Sequence, residues 1–380
     1  MKTLSKPRPN LLGEVVRFGN GKSIKPGTEG RYAVYGSNGI IGGSDEFRHE
    51  NGVIIGRVGA YCGAVVYCPD RFWASDNTLV AYPVNDQVDT RFLYYLLLEA
   101  KLGQHAGGAA QPLVTQTVLK QVEVVVPSLP TQRKIAGTLS AYDDLIENNL
   151  RRIKILEAMA QSLYREWFVH FRFPDHESTK FVDSSLGRIP VGWEVKKLEK
   201  LYRTSSGGTP SRKNLEYYES GTIDWVKTGE LKDCFVLSSE EKITAQALSN
   251  SSAKLFPANT VLIALYGATI GQLGILSREA ATNQACCAIL EMEQPFGRAF
   301  AYLMLLLRRD DIIGLRLGAA QQNISQAVLR DFEVICPPAT LLEAFNQRTE
   351  PILDLLLNLQ RHNQTLRSTR DLLLPKLMKG

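Results

Sequence analysis

The sequence has no run approaching the ~18 consecutive apolar residues that a membrane helix needs. Its apolar runs, such as Leu355–Leu357 and Leu372–Leu374, are far shorter. The opening stretch, Met1–Pro9, is polar and basic and lacks the apolar core of a signal peptide. A cytoplasmic location is therefore expected. Cysteine is sparse. None of Cys62, Cys68, Cys234, Cys286, Cys287 and Cys336 forms a C-x-x-C pair or has a histidine at ligand spacing. They read as small buried hydrophobes in a reducing compartment, and zinc is not expected. Neither sign of charge dominates. The net charge of +5 and pI near 8.8 permit nucleic-acid binding without arguing for it.

Signatures of chemistry are missing as well. No G-x-x-x-x-G-K-[ST] occurs: Gly21-Lys22-Ser23 resembles its tail, but Val16 holds the first glycine position and Pro26 follows. The run Gly36–Gly43, GSNGIIGG, lacks G-x-G-x-x-G spacing, and neither H-E-x-x-H nor G-x-S-x-G is present. His49, His105, His170, His176 and His362 are scattered. The Asn/Asp-Pro-Pro-aromatic tetrapeptide of amino-methyltransferases is absent, and Pro337-Pro338 follows Cys336 at the end of a strand-like run. No catalytic constellation emerges, so a binding or scaffolding protein is expected, ahead of an enzyme with an unrecognised site.

What the sequence does contain is a copy of itself. Gly108–Pro127, GAAQPLVTQTVLKQVEVVVP, matches Gly318–Pro337, GAAQQNISQAVLRDFEVICP, at ten of twenty positions and an offset of 210. Upstream, Val53–Gly63 matches Val261–Gly271 at offset 208, and Asn77 and Asn283 follow at 206. Solenoid repeats run about 20–50 residues, so this is one whole domain with its tail, duplicated. Each copy carries β-like runs bounded by Gly and Asn: Val53–Ile55, Gly63–Tyr67, Leu79–Tyr82, Val261–Leu265 and Cys286–Leu290. Segments rich in Gly, Pro, Ser and Thr, Pro7–Arg31 and Gly187–Glu230, open the two domains.

Each copy ends in a helical pattern. After Pro130, with Thr131 as the expected N-cap, a four-three seam runs through Ile135, Leu139, Tyr142, Ile146, Asn149, Ile153, Leu156, Ala160, Leu163 and Trp167. The second seam uses Phe345, Ile352, Leu356, Leu359, Asn363, Leu366 and Leu373, with Pro351 expected to kink that helix or mark a late start. Helices of 35–40 residues are ~55–60 Å long. Each has one apolar stripe, so the two are expected to pair as a coiled coil; the alternative is two amphipathic helices, each packed on its own domain. Asn149 and Asn363 are either register-setting seam residues or partly exposed edge positions.

Several segments carry a resemblance. Asn149–Val169, NLRRIKILEAMAQSLYREWFV, and Leu366–Leu377, LRSTRDLLLPKL, resemble the conserved helices of type I restriction-modification specificity subunits. Tyr35–Gly42, YGSNGIIG, resembles one recognition-domain signature of that family. SGGTPSRK (206–213), WVKTGEL (225–231), NSSAKLFP (250–257), YGATIG (266–271) and TNQA (282–285) resemble another. The resemblance spans nearly the whole chain in the expected order. It implies a mixed α/β (α+β) chain with intramolecular pseudo-twofold symmetry. Target-recognition domains occupy 1–129 and 172–338, and the helices 130–171 and 339–380 form an antiparallel coiled coil that separates them. It further implies a non-catalytic subunit that reads a bipartite, asymmetric site on double-stranded DNA. Such a subunit docks two methyltransferase (modification) subunits and the restriction/translocase subunits. S-adenosylmethionine, ATP and Mg are used by those partners and not by this chain.

Candidate DNA contacts follow from residue chemistry. Lys22, Arg57, Arg212, Lys213 and Lys227 suit phosphates; Ser37, Asn38, Thr209, Thr228, Asn283 and Gln284 suit base edges. Tyr35 joins the set as the counterpart of Trp225 at offset 190, each before a polar turn. Other roles stand beside these: Trp225 and Tyr266 as core, Arg57 as half of a structural ion pair. The charged helix faces, with Arg151, Arg152, Lys154, Arg361, Arg367 and Arg370, serve either solvation or docking of modification subunits. The competing function is a coiled-coil protein scaffold with no DNA-reading role.

Overall fold

A computed structural model describes residues 9–108, 111–292, 296–315 and 323–378. The first eight residues, 109–110 of the first repeat and 318–322 of the second lie outside these. The chain divides into two compact units, Met1–Glu147 with Gln364–Gly380, and Asn148–Asn363, so each includes a stretch of both long helices.

In the first unit, alternating and β-branched runs build a six-stranded sheet in the order Val16–Asn20, Thr78–Pro83, His49–Gly56, Val65–Ala74, Tyr32–Gly36, Gly39–Ser44. All neighbours are antiparallel except Tyr32–Gly36, which lies parallel to Val65–Ala74. A bulge beside Asn51 (φ 46°) sharpens the twist of the His49–Gly56 strand. The helix Thr90–Glu99, capped by Asp89 Oδ1 accepting from Phe92 N, packs Phe92, Leu93, Leu96 and Leu97 on Val53, Ile55, Leu79 and Ala81. Ile135 and Leu139 join the same core with Leu374 and Met378. Tyr95 Oη donates to Asp143, which also accepts from Arg370 Nη1 at 2.5 Å. The two helix stretches of this unit thus run antiparallel, and Arg370 is an ion-pairing residue here.

The second unit repeats the plan with one division. Position for position, the single strand Val65–Ala74 corresponds to two strands, Leu273–Leu276 and Ala280–Thr282, separated by Ser277–Glu279. The sheet is accordingly split. Five strands run Arg203–Ser206, Cys286–Leu290, Val261–Ala264, Leu273–Leu276, Cys234–Val236; four run Lys242–Ile243, Ile223–Val226, Ala280–Thr282, Leu255–Phe256. The helix Arg298–Leu307 takes the place of Thr90–Glu99. Arg298 ties it to the terminal helix through Glu350 (2.6 Å) and Asp354. Trp167 and Phe168, in the π-helical turn Arg165–Val169, pack against Phe345 while Asn149 bonds to Asn363, so the helix stretches of this unit run antiparallel too.

Three helix expectations need correction. The central helix is Leu129–Tyr164, and Thr131 is not its N-cap. Gln132 N donates to Ser128 O, so Ser128 precedes the first turn and Pro130 sits where its missing N–H costs nothing. The terminal helix is one element, Ala339–Met378, and Pro351 marks no late start. Its most buried positions around the predicted Ile352 and Leu373 are Leu353 and Leu374, one residue further on. The burial steps Phe345, Thr349, Leu353 and Leu366, Arg370, Leu374 are steps of four, the drift of a straight helix rather than a strict heptad. Of the other seam positions, Ile135, Leu139, Ile146, Asn149, Ile153, Leu356, Leu359, Asn363 and Leu366 are buried, and Leu156 and Leu163 half-buried.

Candidate nucleic-acid interface

In the first unit the sheet curls until strand ends and loops meet. Gly21 follows the strand Val16–Asn20, and a Cβ there would lie 1.8 Å from Ser75 O, so only glycine allows the approach. Lys22 N then donates to Ala74 O (2.9 Å), while Trp73 Nε1 holds Lys22 O (2.8 Å) and leaves the Lys22 side chain exposed. Ser37 Oγ and Arg57 N both donate to Asn77 O, at 2.6 and 2.9 Å. Asn38 is exposed at the hairpin tip, where Gly39 adopts φ 104°. Arg57 is half-buried, makes no ion pair among the described residues, and has a buried Nε without a hydrogen-bond partner. Lys22, Ser37, Asn38 and Arg57 therefore share one loop cluster. Tyr35 does not join it on the surface. It is buried, edge-on to Phe72 at 5.7 Å, and burial pushes its hydroxyl well above the usual range. As the last inward residue of a core strand it is removed from the contact set.

The second unit builds the same place with other side chains. A Cβ on Gly207 would lie 2.1 Å from Thr282 O; Gly208 N donates to Thr282 O, and Trp225 Nε1 to Gly208 O at 3.0 Å. Trp225 is core, whereas Tyr266 is exposed beside Gly267 (φ 72°). Thr209 Oγ1 donates to Gln284 Oε1, and both residues are exposed. Lys213 is exposed and Thr228 half-buried at the head of a short turn. Asn283 Oδ1 accepts from Cys286 N, which commits half of its amide to the turn. Two predicted phosphate contacts are not free cations. Arg212 Nη1 pairs with Glu241 Oε2 (2.6 Å) and lies over the Tyr218 and Trp225 rings. Lys227 Nζ pairs with Glu241 (2.8 Å) and Glu240 (3.2 Å). Hydrogen bonds from Arg212 and Lys227 pull the Glu241 carboxyl down to about 2. Among the described residues no group of His, Cys, Asp and Glu is arranged to hold a metal ion, and no helix is long and apolar enough to cross a membrane.

The ladders also correct two alignments. Gly56 pairs with Thr78 and Ala264 with Cys286, so Asn77 corresponds to Ala285, and Asn283 to Ser75. Tyr35 lies opposite Ala74 and Val226 opposite Thr282, so Tyr35 corresponds to Val226, and Trp225 to Val34. Ser75 N donates to Tyr35 O and Asn283 N to Val226 O, both at 2.9 Å. By the same register Arg57 corresponds to Leu265, a fully buried core residue, which explains the buried Nε. Two features of the candidate site escaped sequence reading. Trp73 and Trp225 sit on opposite members of the parallel strand pair yet hold the equivalent carbonyl. Glu241 was hidden in the charged run Ser238–Lys242, whose partners are distant in sequence.

The family model described as the type I restriction modification DNA specificity domain matches residues 11–158 and 190–365. The chain belongs to this family. Specificity subunits are non-catalytic DNA-recognition subunits, and a scaffold without a DNA-reading role is not favoured. Relatives agree. The chain is 28% identical over 301 residues to the type I restriction enzyme MjaIX specificity subunit of Methanocaldococcus jannaschii, covering 78% of this chain and 69% of that one. It is 23% identical over 378 residues to the HindI specificity subunit of Haemophilus influenzae, covering 82% and 81%. The fold is shared with the crystal structure of a type I restriction-modification S subunit from M. genitalium, with TM-score 0.67 at 17% identity over 100% of this chain and 98% of that one.

Proposed function

We propose that each unit of this specificity subunit reads one half of a bipartite, asymmetric DNA site through its loop cluster. The first uses Lys22, Ser37, Asn38 and Arg57; the second uses Thr209, Arg212, Lys213, Lys227, Thr228 and Gln284. One observation supports this above the rest: equivalent backbone turns, held by equivalent hydrogen bonds, present different side chains in the two units. Duplication followed by divergence at such a place suits a target that is not a palindrome. The same proposal has the subunit dock two modification subunits, which bind S-adenosylmethionine and methylate adenine. Restriction subunits that hydrolyse ATP with Mg join that core, and this chain binds none of these cofactors. Exposed Arg152, Lys154 and Arg367 on the long helices suit such docking.

The test is a map of methylated adenines across the host genome, with the gene intact, deleted, and carrying a relative's first domain in place of residues 1–128. One bipartite motif should vanish on deletion. The exchange should change one half of it and keep the other. Methylation without sequence preference, or a motif indifferent to the exchange, overturns the reading.

A further inference from the structure

Arg212 is held from several sides. Its Nη1 is bonded to Glu241, its guanidinium carbon lies 4.4 Å from the Tyr218 ring centroid and 5.0 Å from that of Trp225. Tyr218 is itself anchored, its hydroxyl donating to Pro210 O at 2.6 Å, and Trp225 to Gly208 O at 3.0 Å. Glu241 is steadied in turn by Lys227, at 2.8 Å. What remains of the guanidinium is one edge, Nε with Nη2, for which no acceptor stands among the described residues. Two parallel N–H donors on a fixed plane match a paired acceptor such as the O6 and N7 of guanine. A phosphate is also a paired acceptor, but the charge of Arg212 is already met by Glu241, whereas the adjacent Lys213 is exposed and makes no ion pair among the described residues. Arg212 and Lys227 are balanced by Glu240 and Glu241, so the ion-paired group sums to zero. A neutral group attracts a phosphate weakly and loses little to a neutral base edge, while the fixed plane retains its geometric selectivity.

We infer that Arg212 reads a guanine in the half-site of the second unit, and that Glu241 is the positioning residue that aims it. This rests on the proposed reading of the loop cluster as the DNA contact. The loop cluster of the first unit carries Lys22 and Arg57 instead, and the ion-paired arginine that this unit sets over a ring, Arg71 with Glu50 (3.3 Å) and Phe47, lies on the strand Val65–Ala74. The two half-sites are thus read by different chemistry.

The test uses the assembled methyltransferase complex containing the full chain, on a randomised DNA library whose methylated members are sequenced at several salt concentrations. Arg212→Ala and Arg212→Lys should each relax one G·C position of the second half-site by about tenfold or more. Glu241→Gln should relax the same position to a smaller degree. Discrimination in the first half-site should be unchanged in all three and reports that the complex is folded and assembled. Uniform weakening over all sequences, with the salt slope reduced by about one, makes Arg212 a phosphate contact and overturns the inference. Unaltered specificity in the variants also overturns it, while the recognition function of the subunit stands. A wild-type complex without sequence preference removes both.

Discussion

At the scale of single residues, burial and partners decide roles that residue type leaves open. Tyr35 and Trp225 carry the same chemistry as DNA-stacking aromatics, yet both are core. Arg212 and Lys227 are cations by composition but share the carboxylate of Glu241. That sharing has a pH consequence. The folded carboxyl of Glu241 is held at about 2, below the ordinary value of 4.5, chiefly by the hydrogen bond from Arg212 and then that from Lys227. A depressed carboxyl stabilises the fold above its unfolded pKa, and this contribution disappears as pH falls from about 4.5 to about 2. The side chain is about one-third exposed (34%), so solvent screening keeps the contribution small. A carbonyl-detected NMR titration of the full chain should find Glu241 ionised throughout pH 3–5, and a midpoint near 4.5 would show that the pairing does not persist in solution.

At the scale of elements, the helices combine an apolar seam with one polar layer. Asn149 Nδ2 donates to Asn363 Oδ1 at 2.9 Å and lies 3.2 Å from His362 Nδ1, while the Nδ2 of Asn363 is buried without a partner. The 210-residue duplication places Ile153 at the counterpart of Asn363 and Leu359 at that of Asn149. One layer is therefore polar and its repeat apolar, which marks one register of the pair as distinct. Asn149→Leu alone should destabilise the chain by about 1–3 kcal/mol, because the Asn363 carbonyl loses its buried donor. The double variant Asn149→Leu with Asn363→Leu should recover that loss or exceed it. Urea denaturation of the full chain measures both, and a double variant less stable than either single one would contradict this account. Helix existence, length and the central seam were legible in the sequence, because a 3.5–3.6-residue period is a local property. The N-cap and the one-residue shift to Leu353 and Leu374 were not, because they depend on the residues packed against each face.

At the scale of the whole molecule, a net charge of +5 does not by itself mark a phosphate-binding surface, so the contacts depend on which cations are free. Counting cations in the sequence gives five candidates, but two are paired internally. Each of Lys22→Ala, Arg57→Ala and Lys213→Ala should therefore reduce the slope of log affinity against log salt by about 0.9, the release expected per phosphate contact. Arg212→Ala should leave that slope unchanged. Fluorescence-anisotropy titrations of the assembled complex at several salt concentrations distinguish the two groups, and equal slopes for all four would erase the distinction drawn between them.

The sequence by itself determined the duplication, the two long amphipathic helices, the strands that alternate, and the family, since each is written in local patterns or in motifs that keep their order. Tertiary structure alone decided which residues correspond and which face outward. Equivalent residues differ by 191 between Tyr35 and Val226, by 208 from the strand His49–Gly56 to the helix Thr90–Glu99, and by 210 in the long helices, because loops of unequal length intervene. A strand reverses the facing of its side chains with every residue, so an alignment slipped by one, as with Tyr35 and Trp225, equates side chains that point to opposite faces of the sheet. Only the long-range ladders fix that register, and only they bring Glu241 to Arg212.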